Sequence, residues 1–386
     1  MGFRIRRSAL ILLLVKNALL TALTLGTYRF WARTSLRRML WGAVSIDGEP
    51  LAYTGRGGEL FKGFLRVLVV LVPLFGALAL GNYVFQAFHP AVAFGYQLSL
   101  YLLMILLAFV AGFTARRYLL TRTAWAGVAF GQDGSALRYA WFRVKWGLLV
   151  AITFGLAKPH VDMTVNRYLM NATRYGTEPF VCGANARGLY GPFLASWGAG
   201  LAAVAAYIGI MSIQVDPLGD LDPEGAVSGS AGLIILPVIL GVLAYILMLR
   251  YQIAVFRNTF DGLRIAGASV ACNVRLRSFI GVAVGYTVLL VGGFIALVSA
   301  VYWTVVGYAE GDIGPDASLG VLVGAVLWLV LVQFLGTVWF YVEVLRKYCQ
   351  GMRIDGVATL WQVMPDARPG PRSGEGLADA LGEVGI

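Results

Sequence analysis

The chain has 386 residues, 59% of them hydrophobic and 13% charged, with a mean hydropathy of +0.74. Soluble domains carry about 25% charged residues, so these totals exclude a soluble globular protein and leave an integral membrane protein. The net charge of +11 comes mostly from arginines beside apolar segments, which fits the positive-inside rule and not a nucleic-acid surface. Three cysteines and two histidines offer no disulfide framework and no metal-ligand spacing.

In chain order, the basic start and apolar run over residues 1–14 lack a small-residue cleavage site, so no removable signal peptide is expected. An apolar run over 8–27 carries Lys16 and Asn17 and stops near Gly26. An amphipathic segment over 28–41 follows, with Arg29, Arg33, Arg37 and Arg38. Six later runs, 64–86, 96–114, 193–213, 232–249, 279–303 and 320–344, come in three pairs, each run close to the ~20 residues that cross a bilayer. Between the first and second pairs lies one short run, 146–157, preceded by Arg143 and Lys145 and broken at Gly155 and Pro159. An amphipathic stretch over 160–171 follows it. The links inside the last two pairs are acidic: Asp216, Asp220, Asp222 and Glu224, then Glu310, Asp312 and Asp316. The tail over 365–386 is rich in Pro, Gly and charge and reads as disordered.

One short pattern recurs five times: an arginine, an apolar residue six positions on, and another two beyond that. The copies are Arg38, Val44 and Ile46; Arg122, Val128 and Phe130; Arg167, Thr173 and Tyr175; Arg257, Leu263 and Ile265; and Arg346, Met352 and Ile354, with Thr173 alone breaking the apolar rule. A second alternating pair follows four copies: Leu51/Tyr53, Leu137/Tyr139, Phe180/Cys182 and Val270/Cys272. The pattern predicts a helix end followed by a β-hairpin, with Asp47-Gly48 and Asp133-Gly134 as turns. A lone hairpin is marginal in water, so these should pack on one another or on the helices.

Over this lies a longer duplication, in which residues 26–65 align without a gap on residues 155–194. Lys16 meets Lys145, Arg38 meets Arg167, and Glu49-Pro50 meets Glu178-Pro179. Copies of one structure belong on one side of the membrane. If the short run at 146–157 crossed, the third hairpin and every later basic segment would face outward and the acidic links inward, against the charge rule. The expected architecture is therefore a mainly α polytopic protein with six spanning helices in three pairs. Two half-penetrating helical elements, with tips near Gly26 and Gly155, and cytoplasmic β-hairpins complete it. The alternative is eight spanning helices. The units are 1–142 and 143–278, the two membrane repeats; 279–364, the last helix pair; and the tail 365–386. Both termini are expected in the cytoplasm.

Lys16, Asn17 and Lys145 sit in or beside apolar runs, where charge is costly, and are candidates for a substrate path. A short interfacial helix that lets the amine reach water accounts for the lysines equally well. Lys158, His160, Asp162 and Asn166 near the second tip are a candidate polar path. His160 and Asp162 are two apart and face different sides of a helix, so they make no catalytic dyad. Arg38, Arg122, Arg167, Arg257 and Arg346 cap helices at the cytoplasmic interface or meet anionic lipid headgroups, the expected partner. The stretch Thr54-Gly55-Arg56-Gly57-Gly58 lacks the Gly-Lys-Ser/Thr ending of a phosphate loop. No catalytic set, metal site or cofactor is expected.

The run Leu23-Thr24-Leu25-Gly26-Thr27-Tyr28-Arg29-Phe30-Trp31-Ala32, with Arg37-Arg38 and Phe61-Lys62-Gly63 beyond it, resembles the signature of the YjgN family, also called DUF898. The likeness covers about residues 13–355 and implies a bacterial, inner-membrane, multi-pass protein of a family without an assigned function. Transport or channelling of a small solute or lipid is the first expectation. A scaffold docking a cytoplasmic partner through the hairpins is the second, and an enzyme is not expected.

Overall fold

The structure is a computed structural model that describes residues 1–86, 90–214, 223–309 and 340–366, with isolated positions between 320 and 328. Five times a helix ends at a short strand. Helix α2 (Arg29–Ala43) meets β2 (Val44–Ile46), α4 (Pro90–Thr121) meets β4 (Thr123–Trp125), and α6 (Lys158–Asn171) meets β6 (Thr173–Tyr175). Likewise α8 (Pro223–Asp261) meets β9 (Leu263–Ile265), and α10 (Val342–Gly351) meets β11 (Met352–Asp355). Three of these strands fold straight back through turns with two successive positive φ angles: Asp47-Gly48 (53° and 87°), Ala126-Gly127 (47° and 80°) and Ala266-Gly267 (47° and 83°). That is the type I′ geometry, whose twist suits a two-residue hairpin. The returning strands are β3 (Glu49–Tyr53), β5 (Val128–Gln132) and β10 (Ala268–Cys272). After β6 the chain turns at Gly176 into β7 (Glu178–Pro179) and, past Phe180, β8 (Val181–Cys182).

The second hairpin therefore differs from expectation. Its turn is Ala126-Gly127, not Asp133-Gly134, and Leu137 and Tyr139 lie in helix α5 (Ala136–Ile152). Gly134, at φ 101°, turns the chain out of β5 and into that helix, where Tyr139 stacks near Phe113 at 5.0 Å. Two apolar residues two apart fit a strand, but the segment runs on at helical period toward Trp146, and the longer pattern wins.

The strands form a seven-stranded sheet in the order β1 (Gly2–Phe3) through β7, and a four-stranded sheet in the order β11, β10, β9, β8. Segment 178–182 serves both. Ile46, Trp125, Val128 and Tyr175 from the first sheet and Ile265 and Ala268 from the second share one buried cluster. The two sheets thus curl around a common core, and the Met1 amino group, which donates to the Met352 carbonyl at 3.4 Å, brings the first strand to the last. Past Gly356 (φ 78°), α11 (Val357–Leu360) folds over the core. Leu360 and Val363 join the core, Trp361 lies 5.1 Å from Trp125, and the Thr177 amide donates to Met364 O at 3.2 Å.

Every helical excursion leaves one strand and returns at that strand's ladder partner. Helices α1 (Arg7–Leu23) and α2 connect β1 to β2, which pair Gly2 with Ser45. Helices α3 (Gly57–Gln86) and α4 connect β3 to β4, which pair Leu51 with Trp125. Helices α5 and α6 connect β5 to β6, which pair Phe130 with Tyr175. Helices α7 (Tyr190–Gln214) and α8 connect β8 to β9, and α9 (Arg277–Ala309) leads out from β10 toward α10 and β11. Among the described residues five helices are long and apolar enough to cross a membrane: Gly57–Phe85, Pro90–Thr121, Tyr190–Ile210, Leu236–Asp261 and Arg277–Thr304. The chain is a mainly helical, polytopic membrane protein. The expected run at 320–344, the acidic links except Glu224, and the tail beyond Asp366 lie almost wholly outside the described residues. The divisions at 142/143 and 278/279 fall within α5 and α9.

The two short pairs share one tip. Leu25 and Gly26 take φ of 49° and 87°, and Phe154 and Gly155 take 50° and 89°. Thr24 and Thr153 each bond back through Oγ1 to the carbonyl four residues earlier, at 2.7 Å in both copies. Each hydroxyl also accepts the amide of the helix that follows, at 3.0 Å from Tyr28 and 3.1 Å from Ala157. Both tips expose large apolar side chains, Leu25 at 95% and Phe154 at 84%. Helices α1 and α5 have 17 residues each, about 25 Å at 1.5 Å per residue and short of a ~30 Å hydrocarbon core. The second tip is held by Trp197, whose Nε1 donates to Phe154 O at 3.2 Å. Trp197 lies seven residues into α7, roughly 10 Å along it.

Around the strands the helix bases make a collar. Leu10 and Leu40 pack with Val342, so the first short pair meets α10. Phe30 packs on Leu60 and Tyr118 of α3 and α4. Phe113 meets Tyr139 and Val161, so the second short pair leans on α4, while Asp162 reaches α8. Ile253 and Phe279 join α8 to α9.

Candidate functional site

Three polar constellations stand on this collar. The first belongs to the arginines. Arg38 Nη2 donates to Gly55 O at 3.3 Å, Arg167 Nη2 to Ala184 O at 2.7 Å, and Arg117 Nη2 to Gly134 O, each acceptor 17 residues after its arginine. The side chain at the helix end thus ties down the chain leaving the hairpin. Arg117, not Arg122, is the structural counterpart of Arg38, because the second hairpin starts at Thr123. Arg122 instead pairs with Glu59 at 2.9 Å, and Arg346 pairs with Glu343 at 2.7 Å and lies over Phe3. Arg257 is exposed at the base of α8. Thr173, the one polar residue at an apolar position of the pattern, bonds back to Leu169 O at 2.7 Å and accepts from Arg116 at 3.1 Å. The clamp was hidden because Arg122 happens to match the apolar spacing; the 17-residue interval was the signal that separates the two.

The second constellation gathers three of the residues expected near the second tip. Lys158, Asp162 and Asn166 share one face of α6, four apart. Lys158 Nζ lies 3.0 Å from Asp162, Tyr251 of α8 donates to Asp162 at 2.7 Å, and Asn166 donates to Thr259 Oγ1 at 3.1 Å. His160 points the other way, exposed, its ring 5.3 Å from Trp146. These bonds seat the short pair on α8; Tyr251 and Thr259 lie in an apolar helix and carried no distinguishing pattern. Lys16 and Lys145 are both exposed, on the outward sides of α1 and α5. Asn17 is buried and holds α1 to α2, donating to Ala32 O at 3.3 Å and Ser35 Oγ at 3.1 Å.

The third is a cavity of about 600 Å³ between α2 and the start of α3, lined by Tyr28, Trp31, Ser35, Arg38, Arg56 and Lys62 among others. Trp31 is 40% exposed and lies flat against Tyr28, with ring centroids 6.2 Å apart. Glu59, the acid in the lining, is engaged by Arg122 and by the Tyr118 hydroxyl at 2.8 Å. Arg56 and Lys62 have no ion partner among the described residues. Arg56, Gly57 and Gly58 of the glycine-rich stretch form one wall of this cavity. Cys182, Cys272 and Cys349 are all buried, and burial pushes the Cys349 thiol up to about 11 and raises that of Cys272.

The chain is similar to the inner membrane protein YjgN of Salmonella typhimurium, 28% identical over 136 residues, which are 35% of this chain and 32% of that protein. It is also similar to the inner membrane protein YjgN of Escherichia coli K12, 32% identical over 144 residues, 37% of this chain and 33% of the relative. The similarity spans about a third of the curated relatives' length. No solved structure matches. The family described as "Bacterial protein of unknown function (DUF898)" matches over residues 1–380. Over nearly its whole length, then, the chain belongs to the DUF898 family.

Proposed function

We propose that this is a bacterial inner-membrane protein that handles phospholipid, helping it pass between leaflets, and that it does not carry a small solute through a helix-lined pore. One observation carries the reading: in each of the five long helices at most 17% of the most apolar stretch is buried. Within the described residues α3 packs with α4 and α7 with α8, while helices of different spanning pairs meet little above the collar. Faces that touch no protein in a bilayer touch lipid, and a path bounded by lipid suits a lipid cargo.

The reading has six crossings in three pairs, the arginine-rich collar and strands in the cytoplasm, and the two short pairs dipping into the inner leaflet. The ladder from β5 to β6 supports it, because both ends of the α5/α6 excursion lie in one sheet. The tips' exposed Leu25 and Phe154, the latter held near the start of α7 by Trp197, suit wedges that reach only the near leaflet. Inner-membrane location is supported by the relatives' names. The scaffold alternative gains less support, since the apolar strand faces turn inward under Leu360 and Val363. The reading assigns no catalytic residue.

The test is reconstitution of the full chain into vesicles carrying a trace of headgroup-labelled phospholipid, with a membrane-impermeant quencher added outside. Loss of more than the outer-leaflet half of the signal, absent from protein-free vesicles, is the expected result. Quenching that stops at half, together with leakage of an encapsulated small anion, would favour a solute pore.

A further inference from the structure

We infer that the cavity between α2 and α3 binds the phosphate group of an anionic headgroup, with Arg56 and Lys62 as its cations and Trp31 as its apolar floor. The inference deepens the lipid reading above by naming the group recognised and its seat.

Every lining position of the first copy has a counterpart 129 residues later. Trp31 meets His160, Ser35 meets Thr164, Arg56 meets Asn185, Gly57 meets Ala186 and Lys62 meets Gly191. The arginine tie is the same in both: Arg38 bonds Gly55 O and Arg167 bonds Ala184 O. The second copy thus builds the same helix end and tie without Arg56 and Lys62, although its return strand divides between two sheets and its next helix begins only at Tyr190. Those charges are not required by the fold. Nor are they needed to bring the short pair back to its sheet, which the second copy does with Arg187 as the cation of this stretch.

What the first copy gains is a cavity of about 600 Å³ with Arg38, Arg56 and Lys62 around it, and with Glu59 already engaged by Arg122. Its depth suits a headgroup. Gly57, the first residue of α3, lies against Trp31, close enough that a Cβ there would come within 2.8 Å of the indole. The continuous apolar run of α3 begins past Arg66. An exposed indole and arginines at that level are what an interfacial phosphate meets: a flat apolar support, a fork of donors and a point charge. The Gly57 and Gly58 backbone at the helix start adds to the same field.

The phosphate is borne by a lipid or is free, and the experiment separates the two. Wild-type full-length protein and the Arg56→Gln/Lys62→Gln double variant are placed in phosphatidylcholine nanodiscs with increasing phosphatidylglycerol, and retained phosphatidylglycerol is counted by native mass spectrometry. The same proteins are titrated with inorganic phosphate. The Arg187→Gln variant, with its substitution at an exposed cation of the second copy, serves as control. The expected result is about tenfold weaker retention of phosphatidylglycerol in the double variant and none in the control, from loss of two interfacial cations. A double-variant loss seen only with inorganic phosphate assigns the site to free phosphate. Equal binding by wild type and double variant in both arms overturns the site. Vesicles in which wild type moves no lipid, with the retention difference intact, reject the lipid-transfer reading and leave the site standing.

Discussion

The first short helix pair and its duplicate are one backbone put to two uses. Both tips place two residues at positive φ behind a threonine that bonds in both directions. Both returning helices carry, one turn before their ends, an arginine that ties the chain 17 residues on. The side chains between those fixed points have parted. In the second pair they dock on a spanning helix through Asp162 with Tyr251 and Asn166 with Thr259, and Trp197 holds the tip. In the first pair Asn17 joins its own two helices, Arg7 reaches Glu343 of α10 and Trp41 reaches Thr123 of β4, while the face toward α3 opens into a basic cavity. What the duplication preserved is the anchoring to the sheet. What it released is the face each pair shows to its neighbour.

The comparison breaks outright if the pairs lie on different sides. Cysteines placed singly at Glu49 and Thr177, exposed positions in the first and third hairpins, are expected to share one labelling pattern in oriented membrane vesicles. Opposite patterns would mean that 136–171 crosses the bilayer. The native Cys182, Cys272 and Cys349 should stay unlabelled at pH 8 in the folded protein, being buried, with the Cys272 and Cys349 thiols held protonated.

Packing gives the next largest effect. Met163 is 1% exposed and its counterpart Thr34 is 4% exposed. Met163→Ala should lower stability in detergent by about 2–5 kcal/mol through the cavity it leaves. Thr34→Ala removes a hydroxyl that bonds its own helix at Phe30 O and should cost about 1 kcal/mol or less. Equal losses, read from thermal unfolding, would show that the two pairs bear the same load.

Docking polarity comes third. Asp162→Ala strands Tyr251 and Lys158, at about 1–3 kcal/mol. A double-mutant cycle with Tyr251→Phe should return a coupling of roughly 1 kcal/mol; no coupling would mean that the contact does not hold the pair.

The smallest effect is a gain. Ala266 sits at φ 47° in its hairpin turn, and Ala266→Gly should relieve strain by up to about 1 kcal/mol, seen as a raised melting temperature.

The helix ends, the tips at Gly26 and Gly155, and the existence of strands after each arginine were legible because each rests on a local rule: a period, a spacing or a glycine. The second hairpin was misjudged where two local rules overlapped. Asp133-Gly134 carries a turn signal, but Ala126-Gly127 closes the strands first, with an alanine that the turn only tolerates. The cavity was illegible for a different reason. Arg56 and Lys62 look like ordinary interfacial cations until α2 is seen to stand beside them. Tyr251 and Thr259 likewise gain meaning only from a helix that precedes them by about 90 positions.

The ladder order runs with the chain: each strand pairs with the one made just before or just after it, however long the helical detour between them. A polypeptide emerging from the ribosome can thus insert one helix pair, zip its two flanking strands, and proceed, with no strand waiting exposed for a distant mate. The segment from Val357 to Asp366, made after every strand, then seats as a stopper on the assembled sheets. Truncation before Val357 should leave an assembled but uncorked product, while loss of an early pair should stall every step after it.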